Sequence, residues 1–71
     1  MRTRDEHLEW CKERARVYLD RGELLDAVTS MGSDLDQHPE TGCNVYIGLI
    51  GALHAKEGDR EAVRLWIEGF R

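Results

Sequence analysis

The stretch LEWCKERARVYLDRGELLDAVTSM, residues 8–31, decides the fold. Leu8, Cys11, Ala15, Tyr18 and Leu19 recur at spacings of three and four, which puts them on one stripe of a helix. Glu9, Lys12, Glu13, Arg16 and Asp20 then turn to solvent. Gly22 enters left-handed backbone without steric cost and so ends that helix. The same period resumes at Leu24, Val28, Met31 and Leu35, with Ala27 beside them as a small contact surface and Gly32 as a weak point. Two helices joined by so short a connection pack as antiparallel neighbours.

Upstream, Thr3 and Glu6 have the spacing of a capping box, so the first helix starts there. Downstream, His38-Pro39 marks the end of the second helix, because the residue before a proline is pushed out of helical geometry. A third helix is predicted to begin between Thr41 and Asn44 and run to Ala55, closed by Gly58. Asp59 caps a fourth, with Val63, Trp66, Ile67 and Phe70 as its stripe. The expectation is an all-α chain of four short helices packed as two antiparallel helical hairpins, with residues 1–71 forming one domain and no linker dividing them.

The third helix is the anomaly. Val45, Tyr46, Ile47, Leu49, Ile50, Ala52 and Leu53 cover nearly its whole circumference, and three short helices cannot shield every side of it. A dimer interface or a partner groove is therefore predicted, with Tyr46, Ile47, Ile50 and Leu53 as self-association residues. Gly48, Gly51, Ala52 and Ala55 are spaced for close backbone approach, which in such a chain reads as tight packing.

Composition narrows the function. With 41% hydrophobic and 34% charged residues the chain has the balance of a folded protein. Its apolar stretch from Val45 to Ala55 falls well short of the roughly 20 residues a membrane crossing needs. The opening residues, Met1 to Glu6, lack the apolar run of a secretory signal, and Cys11 and Cys43 are too few for a disulfide scaffold. A cytoplasmic protein with reduced thiols is expected. The net charge of −4 argues against binding a phosphate backbone. All basic residues lie in Arg2 to Arg21 or Lys56 to Arg71, so nucleic-acid binding would need the two ends to converge on one face. Between them lies an acidic block. Glu23, Asp26, Asp34, Asp36 and Glu40, with Asp20 just ahead of them, would steer a basic protein surface, and Trp10, off the main stripe, is a candidate anchor.

Two resemblances add to this. Ala15, Tyr18, Gly22, Ala27, Met31 and Pro39 sit at offsets similar to those of a tetratricopeptide repeat unit, with Cys11 in the slot where that motif has tryptophan. What this implies is the geometry of antiparallel helices. The stretch His7-Leu8, Trp10-Cys11-Lys12, Arg14-Ala15, Tyr18, Gly22, Ala27, Ser30-Met31, Ser33-Asp34-Leu35 and His38-Pro39-Glu40-Thr41, with Ile67-Glu68-Gly69-Phe70, resembles small helical proteins encoded in phages and prophages. The resemblance implies an origin and a size class and brings no site residues. It makes the expected role that of an accessory protein acting on another protein, such as a host defence or DNA-handling factor.

No phosphate loop, nucleophile elbow or dinucleotide fingerprint occurs, and a catalytic role and a cofactor are not expected. One alternative is a zinc-stabilised domain. His7 and Cys11 lie four apart on a helix face, and His38 and Cys43 flank the way into the third helix, a set of zinc-ligating types at no standard spacing. Otherwise the two histidines stand as surface polar groups, Cys11 as core, and Cys43 as a half-buried thiol whose place at a helix start would favour the thiolate. His54 reads as a core or interface group rather than a proton carrier.

Overall fold

In a computed structural model, which describes residues 2–71, the chain forms four helices: α1 (Arg4–Asp20), α2 (Leu24–Leu35), α3 (Val45–Lys56) and α4 (Arg60–Glu68). Each boundary has a local cause. The Thr3 hydroxyl accepts the Glu6 N–H and the Glu6 carboxylate accepts the Thr3 N–H, a reciprocal cap at the start of α1. Asn44 and Asp59 cap α3 and α4 by accepting the Tyr46 and Ala62 N–H groups. Gly22 and Gly58 follow α1 and α3 at φ of 78° and 73°, values that a side chain would strain. The connections after α1 and α3 are only a few residues long, so each helix pair closes as an antiparallel hairpin.

The core belongs to three of the four helices. Leu8, Cys11, Ala15 and Leu19 of α1 meet Ala27, Val28, Met31 and Leu35 of α2, and Val63 and Ile67 of α4 close the cluster. From α3 only Gly51 is buried, although it is the most apolar of the four helices; Ala52 and Ala55 lean on the core from its edge. The Cα radius of gyration, 11.1 Å, matches the roughly 11 Å expected for a packed chain of this length.

Two polar clamps complete the packing. On one side, Arg16 grips the Glu68 carboxylate through Nε and Nη2, at 2.8 and 2.7 Å, and reaches Glu9 at 3.0 Å. That fork ties α1 to α4 and holds the Glu68 carboxyl below its ordinary range. On the other side, buried Asp34 accepts from Arg14 Nε at 2.7 Å and from Ser30 Oγ at 3.3 Å, while its backbone carbonyl accepts from His7 Nε2 at 2.6 Å. His38 donates from Nε2 to the Arg2 carbonyl at 3.0 Å and accepts the Glu40 N–H on Nδ1. The loop between α2 and α3 is thereby pinned to the start of α1.

Candidate functional site

The candidate site is the outer face of α3. At 100° per residue, Gly48, Gly51, Ala52 and Ala55 share one arc of this helix, and Val45, Tyr46, Leu49, Ile50 and Leu53 share the opposite one. The small arc faces the body of the protein. A Cβ on Gly51 would stand 2.5 Å from Trp66 Cε2, so only a glycine lets α3 lie against the indole at this distance. Trp66 locks the contact by donating Nε1–H to the Ile47 carbonyl at 2.9 Å, and Phe70 meets its ring edge-on at 4.9 Å. Large side chains are thus left on the outside. Their exposure runs from 43% at Ile47 to 76% at Tyr46, and Leu65 of α4 extends the same apolar surface past Ile47.

Tyr46, Ile47, Ile50 and Leu53, expected from sequence as self-association residues, are all exposed here. Val45 and Leu49, named there only as part of the apolar circumference, and Leu65, not named, are exposed as well. The clustering of small residues at positions 48, 51, 52 and 55 was the usable signal, because it tells which side of the helix faces inward and so which side does not.

The acidic residues are arranged differently from what their order in the chain suggests. Asp34 is a correction: it is buried at 4% exposure and its carboxylate is spent on Arg14 and Ser30, because a carboxylate this deep is held only with donors around it. Asp20, Glu23 and Asp26 are exposed near the α1–α2 turn, and Asp36 and Glu40 are exposed beyond the other end of α2, about 18 Å of helix away. The sequence block is two separate groups. Asp36 stands at the amino end of α3, where its Oδ1 accepts the Cys43 N–H at 3.4 Å.

Trp10 is likewise not a free anchor. It is half-buried, stacked on His7 with ring centroids 5.4 Å apart, and carries the Arg2 and Arg14 guanidinium groups at 4.3 and 4.8 Å from its ring. His7 and His38 are buried, 5.2 Å apart, rather than surface groups. Carbonyl oxygens only accept, so both rings donate from Nε2, and on the Nδ1 side Glu40 N–H faces His38 while Arg2 Nη1 faces His7 at 3.5 Å. Every ring nitrogen is already occupied by the protein. Among the described residues no three His, Cys, Asp or Glu side chains converge to hold a metal ion, so His7, Cys11, His38 and Cys43 do not form a common ligand set.

Neither thiol is activated. Burial and then the Asp34 charge push Cys11 up to about 11, and Cys43 is raised by burial and then by Asp36. The helix-start position expected to favour a Cys43 thiolate is outweighed, because desolvation disfavours the charged form and Asp36 adds a like charge. Several basic residues of the two chain ends are paired with acidic neighbours. Arg16 pairs with Glu9 and Glu68, Arg14 with Asp34, Arg60 with Asp20 and Arg64 with Glu61, so acidic neighbours offset much of their field.

No helix of the described residues is long and apolar enough to cross a membrane. The chain matches no protein-family model, and no curated protein or solved structure proves similar to it.

Proposed function

We propose that this chain is a non-catalytic protein-interaction module and that the outer face of α3 is its binding surface. One observation carries the reading: α3 turns its glycines and alanines inward and Val45, Tyr46, Ile47, Leu49, Ile50 and Leu53 outward, the reverse of a helix serving its own core. Placing large apolar groups in water weakens the folded chain, and the cost is offset when another protein surface covers them. The setting that agrees with the resemblance in the first forty residues is a cytoplasmic accessory protein of phage or prophage origin. Asp36 lies at the rim of the apolar face and would orient a basic group beside it.

Photo-crosslinking in cells producing the chain tests this. A photoreactive phenylalanine analogue in place of Tyr46 is expected to give discrete protein adducts, and the same analogue in place of the exposed Glu13 on α1 is expected to give none. Absence of adducts at Tyr46, or equal labelling at both positions, would refute the assignment of the face.

A further inference from the structure

We infer that the occupant of this face is a second copy of the chain, bound through α3 in an antiparallel, two-fold pair; the inference rests on the binding face proposed above. The first argument is area. Seven side chains, the six of α3 and Leu65, each expose on the order of 100 Å², so the patch is roughly 700 Å² per protomer, close to the ~800 Å² per partner of a stable interface. A monomer ordinarily keeps its largest apolar patch within about 300–600 Å².

The second argument is self-complementarity. A two-fold interface sets residue i against residue j and j against i. On the outer arc of α3, Tyr46, Leu49, Ile50 and Leu53 are symmetric about the midpoint between Leu49 and Ile50. An antiparallel partner therefore brings Leu49 against the partner's Ile50 and Tyr46 against the partner's Leu53, so these four large side chains meet the same four of the other copy, with Val45 opposite the partner's His54 and Ile47 and Leu65 flanking the contact.

Charge supplies the third. α3 bears no charged residue from Val45 to Leu53, its outer arc ends in Lys56, and Asp36 stands at its amino end. Antiparallel docking sets Lys56 of each copy beside Asp36 of the other and opposes the two helix dipoles, whereas parallel docking would put like ends together. The same charge pattern disfavours a lipid surface, since an interfacial helix draws its hold on anionic lipid from a row of cations that α3 lacks.

Sedimentation equilibrium of the purified chain between about 1 μM and about 1 mM reads the association directly. A monomer–dimer equilibrium unaffected by a metal chelator is expected. Ile50→Asp should weaken it roughly 100-fold or more, as loss of a central apolar anchor does, with helical circular dichroism retained because Ile50 is exposed in the protomer. Lys56→Glu should weaken it only about threefold, and adding Asp36→Lys should restore it.

Orientation is read by oxidation in a background lacking Cys11 and Cys43. Ile50→Cys should cross-link to its own copy across the two-fold axis and Val45→Cys should not; the opposite order would overturn the antiparallel arrangement. A strict monomer at every concentration would overturn the second-copy inference outright. If Tyr46 then still formed adducts with a larger cellular protein, or the chain floated with phosphatidylcholine vesicles, the occupant would be that protein or the lipid. The protein-binding reading of the face would survive the first of these results and fall with the second.

Discussion

Gly51→Ala separates the packing of α3 from its helix propensity. In an exposed helix interior this change stabilises by about 1 kcal/mol, because alanine has less backbone freedom to lose on folding. At Gly51 the added Cβ would lie 2.5, 2.8 and 2.9 Å from three atoms of the Trp66 indole. The ring is rigid, its N–H is held by the Ile47 carbonyl, and Phe70 stands at its edge, so relief comes either by swinging the indole away and losing that hydrogen bond or by displacing α3 from α4. Overpacking of this kind costs about 1–3 kcal/mol, which exceeds the propensity gain, and a net loss of about 1 kcal/mol is expected. Gly32→Ala in α2 is the matched control: nothing lies within 4 Å of a Cβ there, so the gain of about 1 kcal/mol should appear undiminished. The two variants should thus differ by about 2 kcal/mol, or roughly 8–16 °C in Tm for a domain this small. Thermal and urea unfolding in the Ile50→Asp background keeps association from contributing. Equal stabilisation by both alanines would refute the Trp66 contact, and with it the reason α3 turns its large side chains outward.

Other consequences are as direct. Asp34→Ala should destabilise the fold by about 1 kcal/mol in urea unfolding, since it removes the acceptor shared by Ser30 and Arg14, whose half-exposed side chain can still turn to water; a loss below about 0.5 kcal/mol would show the cluster to be dispensable. Acid should act through Glu68. Its carboxyl is held low by Arg16, so below its ordinary value near 4.5 the unfolded chain takes up a proton that the folded chain resists, and stability falls with pH until the folded group protonates as well. Glu68→Gln should flatten that part of the acid limb, and an unchanged limb would refute the clamp. A thiol reagent at pH 8 should leave Cys11 untouched until the chain unfolds and should label Cys43 more slowly than a peptide thiol, since both are raised and Cys11 is fully buried. Labelling of Cys11 in the native protein at a peptide-like rate would contradict the core described above.

Much of the fold was legible along the chain because its signals are local. The capping pair Thr3 and Glu6, the stop at Gly22, the cap at Asp59 and the stripes of α1, α2 and α4 each depend on residues within a turn or two of one another. The charged and aromatic residues were misplaced because their partners lie far off in sequence. Asp34 read as surface until Arg14, twenty residues away, was brought to it, and Trp10 read as an anchor until Arg2, Arg14 and His7 were found around its ring. His7 and His38 gave no sign of being buried, since the polar groups that satisfy them are backbone atoms that every residue carries.

By itself the sequence determined that there are four helices, where they stop, and that α3 carries more apolar surface than so small a chain can cover, because periodicity, caps and composition are properties of neighbours. Only the tertiary structure decided which side of α3 is inside. The three-helix core has room against Trp66 for a glycine and nothing larger, so the small arc docks and Val45, Tyr46, Leu49, Ile50 and Leu53 remain in solvent. A helix that is apolar on all sides has no preferred face until a neighbour's shape selects one.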